Sequence, residues 1–181
     1  MEIREAHDSD LTEVLNINRQ AFGPDEGPVI VGLIQDILSD PTAKPLLSLI
    51  AVEEDQILGH IVFSAARLSV AQSDISVALL APLAVLPVFQ SRGIGGALIA
   101  DGLRRLAEAG VDLVFVLGHP NYYNRHGFAP AGREGFDAPY PIAPENADAW
   151  MVQALRPDAV EANAGTVQCC AALDKPEYWQ E

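Results

Sequence analysis

Residues 81–98 read A-P-L-A-V-L-P-V-F-Q-S-R-G-I-G-G-A-L, and the rest of the chain is arranged around them. An apolar strand ending near Val85 runs into a turn holding Gly93, Gly95 and Gly96, and that turn opens a helix. The first N–H groups of a helix lack partners and sit at its positive end, so a turn of this kind receives an anion. The glycines let the backbone approach a ligand with no Cβ in the way. Two nucleotide motifs are excluded. A P-loop ends in Gly-Lys-Ser/Thr, but Gly96 is followed by Ala97 and Leu98. A dinucleotide fingerprint needs a glycine where Leu98 stands, and it usually follows the first strand of its unit rather than one so far into the chain.

Pro82 and Pro87 bracket the end of the strand. Proline cannot donate to a ladder, so it marks an edge, a bulge or the end of pairing. Leu83, Ala84 and Val85 would then carry backbone N–H and C=O groups that no neighbouring strand uses. An extended, amide-containing ligand such as pantetheine can add to them as a strand, with its pyrophosphate over Arg92 to Gly96. Downstream, V-D-L-V-F-V-L at 111–117 suits a central strand covered on both faces. Gly118 and Pro120 then lead into a short helical segment carrying Tyr122 and Tyr123. A phenol, with a reference pKa of about 10, can protonate a thiolate whose own value is about 8.5.

Three pieces, L-A-V at 83–85, Q-S-R-G-I-G-G at 90–96 and Y-N-R-H-G-F at 123–128, together resemble the core of the GNAT N-acetyltransferase superfamily. The resemblance implies an α/β fold in three layers, a mixed sheet of about six to seven strands flanked by helices, with residues 1–181 as a single domain. It implies transfer of the acetyl group of acetyl-CoA to a primary amine, without a metal. The segment Leu83, Ala84 and Val85 would contact the acetyl and pantetheine arm. Gln90, Ser91, Arg92, Gly93, Ile94, Gly95 and Gly96 would hold the pyrophosphate, and Tyr123 would be the general acid. The sequence departs from the family at Val116, where many members carry an asparagine. Asn121 is the nearest substitute for that cofactor contact. The expected strand 75–85 holds no acid and no histidine, so the general base is open between His119 and a water relay to an acidic residue. A catalytically silent acyl-CoA sensor is the alternative of a different class. The amine acceptor is not specified by these motifs, and a homodimer is the base-rate expectation for assembly.

Composition narrows the partners. The chain has 181 residues, 49% of them apolar, which suits one domain with a sizeable core. No apolar run reaches the roughly 18 residues of a membrane span, and the start does not resemble a signal peptide. A formal net charge of −14 argues against nucleic acid. The two cysteines, Cys169 and Cys170, are adjacent, which suits neither a mutual disulfide nor a zinc site. They read as strand residues in a reducing cytoplasm.

The remaining elements follow from periodicity and breakers. A strand is expected over Ile3–Ala6. A helix capped by Asp8 or Ser9 should run to Phe22, and G-P-D-E-G-P at 23–28 should separate it from a second helix over 29–38. Strands over 46–53 and 56–68 should meet at Glu54-Asp55, with His60 a hydrogen-bonded strand residue. A turn is expected at 71–74 and the central helix over 94–109, ended by Gly110. Residues 129–146 read as loop. Strands over 148–155 and 166–173 should form a hairpin on the far edge of the sheet, and the tail 175–181 should pack or fray.

Overall fold

Strand β4 (Val77–Val85) fixes the architecture, because its two neighbours part company along its length. The structure is a computed structural model describing residues 1–69 and 74–180. The turn expected at 71–74 falls mostly outside those residues. On one side β4 is antiparallel to β3 (Gln56–Leu68); on the other it is parallel to β5 (Leu113–Leu117). The main path of the sheet runs β1-β2-β3-β4-β5-β8-β6, with β1 at Glu2–Glu5, β2 at Leu47–Glu53, β6 at Ala129–Pro130 and β8 at Trp150–Ala154. Two further short strands, β7 (Phe136–Asp137) and β9 (Gly165–Gln168), pair with each other, and β9 also pairs with the end of β3. This is the expected mixed sheet, with seven strands on its main path.

Helices cover both faces. The helix α2 (Ile94–Glu108) buries Leu98, Ile99 and Leu103 against Phe63, Leu80 and Val116. Leu33 and Ile37 of α1 (Leu11–Leu38) belong to the other cluster, with Val62, Leu79, Phe115 and Trp150. Alternation along the strands sorts these residues, since Leu79 and Leu80 point to opposite faces.

The expected loop at 23–28 is not a loop. Only Gly23 leaves helical geometry, at φ 83° and ψ 179°, and Pro24 at once starts a new helical run. Proline is tolerated there because the first helical N–H has no intrahelical partner. Gly27 lets the second run lie close to the first: a Cβ on it would come 2.6 Å from the Arg19 carbonyl oxygen. The glycines and prolines are thus absorbed by a one-residue kink.

The expected hairpin of the last two strands does not form either. Both edges of β8 are taken, one by β5 and the other by β6, which emerges from the stretch read as loop. With no free edge beside β8, β9 pairs with Arg67 and Leu68 at the end of the long β3. Cys169 and Cys170 lie just past β9 rather than inside a strand, and both are free thiols. Burial pushes both up, Cys169 to about 12, which favours the thiol over the thiolate at each.

The tail packs. Trp179 is buried, donates its indole N–H to the Leu173 carbonyl at 2.9 Å and meets the Trp150 ring edge-on at 5.7 Å. Asp40 pins the preceding turn by accepting from the Ala172 N–H at 2.8 Å and the Thr42 hydroxyl at 2.7 Å. His60 is buried in β3 between Asn18 of α1, 3.1 Å from Nδ1, and the Ser48 hydroxyl, 2.9 Å from Nε2. Because the Asn18 amide donates, Nδ1 accepts and Nε2 carries the proton.

Candidate active site

The cleft begins where β4 and β5 separate. They pair only from Val77–Leu113 to Leu80–Val116. At the start of this ladder the Asp112 carboxylate accepts the Ser76 N–H at 2.8 Å and lies 3.2 Å from Arg156. Beyond Leu80 an additional β4 residue shifts the register with β3, so Pro82 sits at a bulge, as a ladder-breaking residue should. From there β4 continues to Val85, while β5 stops at Leu117.

The Leu86 N–H donates to the Leu58 carbonyl at 2.9 Å, which fixes the alternation of the end of β4. In an antiparallel ladder every second residue faces the same neighbour. Ala84, opposite His60, therefore turns its N–H and C=O towards β3. Leu83 and Val85 turn theirs away from β3, into the space that β5 vacates. Ala84 is also buried with Ile17 and Leu86 and does not line the cleft, whereas Leu83 and Val85 do.

The glycine turn closes one end. Ser91 (φ 63°) and Gly93 (φ 85°) are both left-handed. Gly93 is the N-cap of α2 and no side chain caps the helix, so the N–H groups of its first turn are offered to a ligand. Gln90 lines the cleft, and its amide donates to the Val85 carbonyl at 3.0 Å, tying the turn to the strand. Ser91, Gly93, Ile94, Gly95 and Gly96 line it too. Arg92 does not; it extends over the Phe89 ring at 5.4 Å.

The opposite wall is α3 (Pro120–Asn124) and the residues after it. A Cβ on Gly95 would collide with the Tyr122 hydroxyl, and one on Gly96 would come 2.7 Å from His126 Cε1. The two glycines thus admit α3 against the start of α2. Tyr122 stands edge-on to Tyr123 at 5.1 Å and to His126 at 4.9 Å, and Arg125 lies 5.6 Å from its ring centre. Burial raises the Tyr122 phenol, only partly offset by the Arg125 charge. Burial, aided by the same charge, lowers the His126 imidazole, so that ring is neutral at pH 7. Tyr123 rests against Gly118 and edge-on to Phe128 at 5.8 Å, and lines the cleft. Asn121 is exposed outside the lining, its carbonyl accepting from Arg125 at 3.3 Å, so the structure does not bring it to the site. Val116, where many members carry asparagine, does line the cleft and supplies no polar group.

The cleft has a volume of ≈ 1090 Å³. Phe22, Glu26, Ile30 and Leu33 of α1 and Leu173, Tyr178 and Gln180 of the C-terminal segment complete it. The C-terminal contribution carried no sequence signal beyond two aromatic residues in a short tail. A smaller cavity of ≈ 400 Å³ lies near the start of β4, lined by Glu5, Phe63, Val77 and Arg105 among others, away from the glycine turn and the tyrosines. Among the described residues, no group of three or more His, Cys, Asp or Glu is placed to hold a metal ion, and no helix is long and apolar enough to cross a membrane.

Splayed strands, an uncapped glycine turn and a tyrosine-bearing wall define a protein of the acyl-CoA transferase class. Comparison with known proteins makes this specific. The Acetyltransferase (GNAT) domain family matches residues 2–131, and the chain belongs to that family. It is 42% identical over 148 residues to YjhQ of Escherichia coli K12, an uncharacterized N-acetyltransferase, covering 81% of this chain and 80% of the relative. The GNAT family N-acetyltransferase YhbS from Escherichia coli, solved in complex with CoA, superposes with a TM-score of 0.84 at 26% identity, covering 96% of this chain and 92% of that one. A GNAT acetyltransferase from Brucella melitensis in complex with acetyl-CoA gives 0.68 at 31% identity, covering 96% and 97%.

Proposed function

We propose that this protein transfers the acetyl group of acetyl-CoA to a primary amine in the cleft between β4 and β5. The observation that carries this reading is the pairing of outward-turned backbone at Leu83 and Val85 with the uncapped first turn of α2. The strand edge suits the amides of pantetheine, and the turn suits its pyrophosphate. A Cβ at Gly95 or Gly96 would collide with the α3 wall, so the cradle depends on those glycines. Acetyl-CoA supplies an activated thioester carbonyl. The Val85 N–H is assigned to the oxygen that becomes negative during attack. Tyr123 is assigned as the general acid for the departing thiolate. Tyr122, with its phenol raised by burial, stays protonated at the helix start and is assigned to positioning. The CoA complex of YhbS and the acetyl-CoA complex of the Brucella protein support the cofactor assignment.

The test is thiol release from acetyl-CoA with primary amines and with tertiary amines of matching shape. Release dependent on the primary amine, with an acetylated product of the expected mass, is the predicted result. Binding of acetyl-CoA with no release for any amine would replace the transferase with the silent sensor.

A further inference from the structure

The part of the cleft lined by α1 and the C-terminal segment, which the assigned cofactor contacts leave free, has an unbalanced chemistry. Around its kink α1 contributes Phe22, Glu26, Ile30 and Leu33, and the C-terminal segment adds Leu173, Tyr178 and the uncharged polar Gln180. Phe22, Ile30 and Tyr178 present apolar or aromatic surface, while Leu33 and Leu173 are buried. Glu26 is the one carboxylate among the described residues lining the cleft. The cationic and imidazole groups of the lining, Arg125, His119 and His126, stand on the opposite wall in or next to α3. A polyamine or aminoglycoside would bring several ammonium groups to a surface with one counter-charge, leaving the others desolvated against hydrocarbon.

We infer that the acceptor is a monoamine with an apolar body, aromatic or branched aliphatic, whose single ammonium is met by Glu26. This rests on the acetyl-transfer reading and narrows it. The overall charge of −14 draws any cation towards the protein, but contacts inside the cleft decide which one is used. On the second run Glu26 and Ile30 are four residues apart and share a face, and Phe22 ends the first run across the kink, so Phe22 and Ile30 hold the apolar body while Glu26 directs the nitrogen. Glu26 also lies in the first turn after Gly23, where a negative charge suits the helix dipole. Asp25 has the same advantage and does not line the cleft, so it separates the two roles.

In the reaction the ammonium first gives one proton to water. The neutral nitrogen then forms the C–N bond, the carbonyl oxygen takes the charge, and the C–S bond breaks as the carbonyl re-forms. The thiolate takes a proton from Tyr123, which is restored by the second proton leaving the nitrogen. Ammonium and thioester become amide, thiol and one released proton.

The test is steady-state thiol release with acetyl-CoA and four amines: 2-phenylethylamine, isoamylamine, spermidine and kanamycin. The wild type, Glu26→Gln and Asp25→Asn are compared, with acetyl-CoA binding followed separately by calorimetry. The inference predicts kcat/KM for the two monoamines at least tenfold above that for the two polycations. Glu26→Gln should raise the monoamine KM by tenfold or more at unchanged acetyl-CoA KM, and Asp25→Asn should change neither. Preference for spermidine or kanamycin overturns the inference while leaving the transferase intact. So does an unchanged monoamine KM in Glu26→Gln, or acetyl-CoA binding without thiol release for any of the four. Failure to bind acetyl-CoA at all overturns the underlying reading as well.

Discussion

His60 should make the fold sensitive to mild acid. It lies in β3 at 1% exposure, and burial lowers its pKa from 6.5 to about 4. Its ring joins α1 to β2 through Asn18 and Ser48, so a protonated Nδ1 would lose the Asn18 amide as a donor and leave a buried charge without a counter-ion. The folded value lies below the unfolded one. The associated stability is therefore fully present above pH 6.5 and is lost as the pH falls towards 4. At about 1.4 kcal/mol per pH unit, the interval from 6.5 to about 4 corresponds to roughly 3 kcal/mol. That is a large fraction of the stability of an ordinary domain. Urea unfolding of the wild type and of His60→Gln, at steps between pH 7 and pH 4, measures it. Both proteins should lose stability on acidification, and the wild type should lose more than the variant by most of this amount across the window. His126, lowered by burial, Asp10, lowered by its hydrogen bonds, and Asp40, whose burial is outweighed by its hydrogen bonds, also contribute, but they are common to both proteins and cancel in the difference. Parallel curves for the two proteins would refute the reasoning.

Three further predictions concern packing and the cleft. Gly102→Ala puts a methyl against the Phe63 ring, 2.6 Å from Cζ, at the contact between α2 and the sheet. Overpacking of about 1–3 kcal/mol should outweigh the helix-propensity gain of about 1 kcal/mol, and a raised midpoint in urea would contradict this. Gly96→Val should drive His126 and α3 away from the start of α2, raising the acetyl-CoA Kd by roughly tenfold or more, about 1.4 kcal/mol; calorimetry reads it, and an unchanged Kd counts against the glycine turn as the cofactor site. Asp40→Ala removes the acceptor of the Ala172 N–H and the Thr42 hydroxyl, which should loosen the segment carrying Leu173 and Tyr178. Hydrogen exchange at Ala172 and Trp179 should quicken, and the acceptor KM should rise more than that for acetyl-CoA; unaltered exchange would dismiss Asp40 as the clasp.

What could be read from sequence was local. The glycine turn, the bulge at Pro82 and the short helix of Tyr122 and Tyr123 are each written in a few consecutive residues, because breakers and positive-φ positions act within one turn of chain. Strand β3 and helix α2 were equally legible from their period. Partners set by distant chain were not. The β8–β9 hairpin looked reasonable until β6 occupied the second edge of β8, and β6 is only two residues long. The break at 23–28 looked like a loop because its glycines and prolines oppose helix one by one. Their combined fit depends on Gly27 lying over the Arg19 backbone. Within the site, the backbone alternation at Leu83 and Val85 needed the register with β3. The arrival of Leu173 and Tyr178 in the cleft needed the whole C-terminal path.

The central claim assigns acid catalysis to Tyr123 and positioning to Tyr122, two neighbours that differ in where their rings rest. The most direct measurement is kcat and acetyl-CoA Kd for Tyr123→Phe and Tyr122→Phe with an accepted amine. The account predicts that Tyr123→Phe lowers kcat by roughly 10–100-fold with the Kd nearly unchanged, modest for acid catalysis because a thiolate leaves readily. Tyr122→Phe should act mainly on the Kd. Full turnover in Tyr123→Phe, with the loss of kcat moved to Tyr122→Phe, would contradict it.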